Sequence, residues 1–195
     1  MPDTLEVPVS QRFHHALACA SELHRTQARK STEIPYIAHL LAVASIVMEA
    51  GGTEDEAIAA LLHDGPEDQG GEPTLSAIRA RFGDAVADIV ASCSDTFESP
   101  KPDWAIRKQQ YLEHLKTASD SAKLVSAADK LHNARATLRD LREQGESVWE
   151  RFSGTREQIL ANYAGLISAY DHSPSDDRRR GIVDELRDTV AQLEK

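Results

Sequence analysis

The stretch that most restricts what this chain can fold into is residues 54–68, EDEAIAALLHDGPED. Its middle, AIAALL, is apolar on every face, and a helix of that kind has to be covered by other elements. Thr53 and Glu56 stand at capping-box spacing and fix its start. Pro66 removes a backbone donor and restrains the residue before it, so the helix ends or kinks close to Asp64. The reading is a short central helix that presents His63 and Asp64 at a broken end, with Glu67 and Asp68 just beyond. Carboxylates are rarely buried without a partner, and a divalent cation is a partner that takes neutral imidazole and carboxylate together.

The segments around that helix also read as helical. Ser10 is a natural N-cap for a first helix with Phe13, Leu17, Ala20 and His24 on one face. Pro35 interrupts, and a second helix over 36–48 stops at Gly51-Gly52, with His39 one turn in. After the QGGEP loop, short helices are predicted over 74–82 and 84–94, and ESPKPD links them to an amphipathic segment from Trp104. A long helix opening at Asp120 or Ser121 and ending at Gly145 places Asp129 and Asn133 on one face, with His132 beside them. A further helical pattern covers 149–170, broken at Ser153-Gly154. There is no internal repeat, no P-loop, and no alternating run long enough for a sheet. The predicted fold is all-α, a single-domain helical bundle around a metal site. Residues 1–9 are a mobile lead-in, 10–170 the domain, 171–180 a hinge and 181–195 a C-terminal helix.

The formal charge of −10 argues against DNA or RNA as partner, while a small anionic substrate needs only a local cluster of cations. No apolar run approaches the roughly 20 residues of a membrane span. The segment MPDTLEVPVS lacks the features of a signal peptide, and Cys19 and Cys93 sit singly in helical patterns as reduced thiols. The expected setting is cytoplasmic.

An octahedral site for a cation such as Mn²⁺ calls for imidazole and carboxylate ligands with positions left open for water and substrate. His39, His63, Asp64 and Asp129 supply two of each from three helices, as bundles commonly do. Taken singly, His39 would be an ordinary core histidine and Asp129 a surface acid. LLHD and AADKLHN, however, each set an acid among apolar neighbours. Glu67 and Asp68 are, on spacing alone, equally a solvated acidic loop and a pair that handles the attacking water. Arg29-Lys30 is a pair of cations just ahead of the first ligand, suited to stacking on a base or gripping phosphate. Tyr36 either packs under the nucleotide or starts the helix core. Arg107, Lys108, Lys130 and Arg135 are phosphate contacts or solvated helix faces.

The order H…HD…D resembles the signature of the HD superfamily of metal-dependent phosphohydrolases. At closer range, QARKSTEIPYIAH, HDGPED, FGDAVADIV and ADKLHNAR resemble the corresponding stretches of the RelA/SpoT hydrolase domain, over about residues 13–170. With no synthetase-like segment following, the chain resembles a stand-alone small alarmone hydrolase. The resemblance implies an HD-type bundle that removes the 3′-pyrophosphate of ppGpp or pppGpp with Mn²⁺, giving GDP or GTP. It implies His39, His63, Asp64 and Asp129 as metal ligands, and Glu67 and Asp68 as the residues that activate and orient water. Arg29, Lys30, Tyr36 and Asn133 would lie against the nucleotide. The chain departs from the family pattern at Thr32 (usually Gly), Leu40 (usually Pro), Gly65-Pro66, Ser126 (often Lys) and Ala136 (often Thr). None of these is a metal position, but they open base choice to the adenine analogue ppApp.

Overall fold

The computed structural model describes residues 9–96, 102–171 and 177–195. The lead-in before residue 9, most of the ESPKPD connection, His172 and the first half of the 171–180 hinge lie outside them. Among the described residues there is no strand, and one isolated antiparallel bridge joins Ala28 to Pro35.

The chain folds as α1 (Gln11–Leu23), α2 (Ile37–Glu49), α3 (Glu54–Leu62), α4 (Gly65–Asp68), α5 (Glu72–Phe82), α6 (Asp84–Cys93), α7 (Trp104–Thr117), α8 (Asp120–Gln144), a 3-10 segment (Gly145–Arg151), α9 (Arg156–Asp171) and α10 (Asp177–Leu193). Local signals set most of these boundaries. The Ser10 side chain accepts from the Arg12 N–H, and Thr53 and Glu56 form the reciprocal capping box that starts α3. α5 begins two residues ahead of the predicted Thr74, because Pro73 fits the first turn of a helix. Gly145, at φ 70°, ends α8 in a conformation few other residues adopt readily.

α3 is the central element. Ala57 to Leu62 are all buried, with α1, α2, α6 and α8 packed around them. α8, at 25 residues, carries several buried polar side chains, among them Ser126, Asp129, Thr137 and Asp140. Ser126 bridges the Tyr111 and Tyr170 hydroxyls at 2.6 and 2.7 Å, so this position serves a buried hydroxyl chain.

The predicted hinge over 171–180 is corrected in its described part, since residues 177–180 form the first turn of α10. Here Arg178 donates to the buried Glu56 at 2.9 and 3.2 Å, and the buried Arg179 reaches Asp120 at 3.2 Å. α10 packs on α8 and α9 and buries Ile182, Val183, Leu186, Val190 and Leu193.

Candidate functional site

α2, the end of α3 and the middle of α8 bring His39, His63, Asp64 and Asp129 together. His39 Nε2 lies 3.4 Å from Asp64 Oδ2 and 3.2 Å from Asp129 Oδ1, and His63 Nε2 lies 3.0 and 3.7 Å from the same oxygens. Pro66 makes this possible: α3 stops, α4 starts a new turn, and Asp64 falls at the corner between them.

The protonation of the two imidazoles tests whether these residues suit a cation. His63 Nδ1 lies 2.8 Å from the Ala60 carbonyl, which can only accept, so that nitrogen carries the proton. In the neutral ring Nε2 then presents a lone pair to two carboxylates. Among the described residues neither His63 Nε2 nor His39 Nε2 has a hydrogen-bond partner, although both are buried. Lone pairs facing carboxylates repel unless positive charge lies between them. A divalent cation fits that need, and His39, His63 and Asp129 alone place their ligand atoms within 4.8 Å of one another. Without a cation a proton takes the same place. Burial opposes charge on His63, but Asp64 and Asp129 outweigh it and hold its pKa well above the ordinary histidine range. Burial likewise favours neutral carboxyls, yet His63 and His39 hold Asp64 low, and Lys130 and the two histidines do so for Asp129.

A further layer of residues orients this cluster. His39 Nδ1 meets His132 Nδ1 at 2.8 Å. Burial, His39 and Arg29 lower the His132 pKa to about 4, so that ring is neutral and its Nδ1 can accept from His39. Tyr36 donates its hydroxyl to Asp64 Oδ2 at 2.8 Å and stacks on His24 at 5.0 Å. Burial and the Asp64 and Asp68 carboxylates push the Tyr36 phenol far up, which keeps it a donor. Asp129 accepts from Lys130 and from Asn133, each at 2.5 Å.

A cavity of about 700 Å³ opens beside the cluster, a size suited to a nucleotide. Its walls include Arg29, Lys30, Tyr36, His39, Asp68 and Asn133, and also Lys108, Lys130, Arg139 and Arg151. These cations stand out in a chain of charge −10. Arg29 donates to Asn133 Oδ1 at 2.5 Å with its guanidinium 5.5 Å from the Tyr36 ring centre. Residues 27–36 hold it there as a tight loop, Arg29 N–H bonding to Ile34 O and Tyr36 N–H to Gln27 O. The left-handed residue of that loop is Ser31, at φ 59°, and Thr32 closes the turn through its hydroxyl.

Glu67 and Asp68 lie on α4, one turn beyond Asp64. Asp68 accepts from Gln27 Nε2 at 2.8 Å, and Glu67 accepts from the Asp95 N–H at 3.0 Å. Asp95 also pairs with Lys108 and Arg107, which links the α4 carboxylates to the cationic wall. Of the four phosphate-contact candidates, Lys108 and Lys130 line the cavity. Arg107 is spent on Asp95 and the Pro102 carbonyl, and Arg135 pairs with Glu185 of α10 at 2.9 Å.

A family model described as an HD domain matches residues 16–160. The chain belongs to the HD-domain family. Its HD domain is 42% identical over 133 residues to the guanosine-3′,5′-bis(diphosphate) 3′-pyrophosphohydrolase MESH1 of Xenopus tropicalis, covering 67% of this chain and 69% of that one. The Drosophila melanogaster MESH1 is 30% identical over 188 residues, covering 95% and 90%. Among solved structures, a metazoan ortholog of SpoT that hydrolyzes ppGpp superposes with a TM-score of 0.71 at 29% identity, over 91% of this HD chain and 94% of that one.

Sequence reasoning gave no role to His132, Gln27 or Asp95, nor to the far wall formed by Trp104, Arg151 and Phe152. His132 had a signal in its place between Asp129 and Asn133 on α8, and Gln27 in opening QARKSTEIPYIAH. The others reach the site through contacts distant in sequence.

Proposed function

We propose that the chain hydrolyses the 3′-pyrophosphate of ppGpp and pppGpp, releasing pyrophosphate and leaving GDP or GTP, with Mn²⁺ as the cation. The observation that carries this reading is the pair of unpartnered, buried imidazole nitrogens facing two carboxylates at one end of a cationic cavity. The relatives' activity agrees with it. His39, His63, Asp64 and Asp129 would hold the cation, which when bound supplies Lewis-acid polarisation of a phosphoryl oxygen. Glu67 and Asp68 orient the attacking water and accept its proton. Lys108 and Lys130 meet the negative charge that builds on the departing pyrophosphate. Arg29, Lys30, Tyr36 and Asn133 lie against the nucleotide. No helix among the described residues is long and apolar enough to cross a membrane, and the two free cysteines accord with a cytoplasmic setting.

The adenine analogue ppApp is the nearest alternative substrate, because Ala136 lines the cavity where relatives of this family often carry Thr. Product analysis on ppGpp and ppApp, with and without Mn²⁺, tests the reading. Pyrophosphate released from ppGpp supports it. Orthophosphate released from a deoxynucleoside 5′-monophosphate with ppGpp untouched would sink it, as would tight alarmone binding without turnover.

A further inference from the structure

The cavity extends along α8 well past the metal cluster. Asp140 lies about three turns beyond Asp129, roughly 16 Å at the helical rise. There a second charged group lines the cavity: Asp140, with its side chain 7% exposed, and Arg151, 13% exposed. Arg151 donates through Nη1 to Asp140 Oδ2 at 2.6 Å, and its guanidinium lies 5.0 Å from the Phe152 ring centre. Asp140 Oδ1 accepts from the mainly exposed Arg139 at 3.0 and 3.1 Å. Burial favours a neutral Asp140, but Arg151 and Arg139 outweigh it and hold the carboxyl below its ordinary range. A buried ion pair gives little stability over well-packed apolar side chains, so its place in a cavity wall points to a ligand.

The walls around this pair are Trp104, Phe152, Ile159 and Tyr163. Aromatic and apolar surface suits a purine and not a chain of phosphates, whose charge is better met by Arg29, bonded to Asn133 beside the metal cluster, and by the exposed Lys30. The pairing with Asp140 uses one guanidinium nitrogen. Arg151 Nε and Nη2 make no other hydrogen bond among the described residues. Two forked N–H donors match the O6 and N7 acceptors of guanine, whereas adenine offers a donor in place of O6. Asn162 also lines this end, but an amide carries both a donor and an acceptor and fits either purine.

Resting on the proposed alarmone hydrolysis, we infer that Arg151, held in place by Asp140, reads the O6/N7 edge of the purine and sets a preference for guanine over adenine. Asp140 is a positioning residue in this scheme.

The test is kcat/KM for ppGpp and for ppApp, measured with Mn²⁺ on the wild type and on Arg151→Lys, which keeps the charge beside Asp140 and loses the fork. The wild type should favour ppGpp, and in Arg151→Lys the ppGpp-to-ppApp ratio should fall by roughly tenfold or more, the weight of one bidentate base contact. The double variant Arg151→Gln/Asp140→Asn, which leaves no charge buried, should show the same collapse if the single variant folds poorly. A wild type that favours ppApp, or a ratio that stays constant while both rates change together, overturns the inference and leaves the hydrolase reading standing. A wild type that turns over neither nucleotide removes both.

Discussion

His39 and His132, 93 positions apart in sequence, face each other through their Nδ1 atoms at 2.8 Å. One proton serves both rings, and placing it on His39 leaves the His39 Nε2 lone pair for a cation. His132→Ala should therefore weaken Mn²⁺ binding about 10- to 100-fold, the usual cost of losing a partner behind a ligand. His132→Asn, which keeps an acceptor, should recover part of that loss. Titration of the metal-free protein with Mn²⁺ measures both.

Asp129 and the α4 acids should separate cleanly. Asp129→Ala should abolish the stabilisation that Mn²⁺ gives the wild type, about 2.7 kcal/mol at a hundredfold excess over Kd, or roughly 5–10 °C in Tm. Glu67→Gln and Asp68→Asn should keep that shift while kcat falls by about 10²- to 10⁴-fold. Full metal occupancy in Asp129→Ala would remove it from the ligand set.

Gly154 lies against the six-membered ring of Trp104, and a Cβ there would come to 3.0 Å from the indole. Gly154→Ala should displace the Trp104 ring from the cavity wall, lowering stability by about 1–3 kcal/mol and raising KM more than it lowers kcat. Thermal melts and steady-state kinetics on the one variant read both effects.

Glu56 gives the fold a predictable acid limb. Burial favours its neutral form, but the Thr53 N–H, Ser121 and Arg178 outweigh it and hold its pKa below the ordinary 4.5. A carboxyl lowered on folding adds stability above its unfolded pKa and loses it as pH falls through the folded value. The stability gap between wild type and Glu56→Gln should thus be widest above about pH 5 and close on acidification. Denaturant melts across that range would show it, and a gap that widens in acid would contradict the assignment.

The features legible in the sequence were those with local causes. The Ser10 and Thr53 caps, the Pro66 break and the Gly145 stop act within a few residues, and each helix boundary they imply is present within about two residues. The meeting of His39, His63, Asp64 and Asp129 could be anticipated because each sits in, or at the end of, a segment whose apolar neighbours have to be buried. Contacts made by long polar side chains carried no such mark. Arg135 turned to Glu185, Arg178 to Glu56 and Arg151 to Asp140, choices fixed only once α8 and its neighbours had packed. For the same reason DDRRR read as a hinge although residues 177–180 are helical, since a charge run and a set of anchored arginines look alike until their acids are located.

Glu56 both caps the helix that ends at His63 and receives Arg178 from α10. A nascent chain leaving the ribosome therefore has its histidine-bearing helix unbraced until α10 has emerged, and nine residues alone make a marginal helix. Catalytic competence would be acquired late in synthesis, and a fragment lacking α10 would bind its cation weakly even with every ligand present.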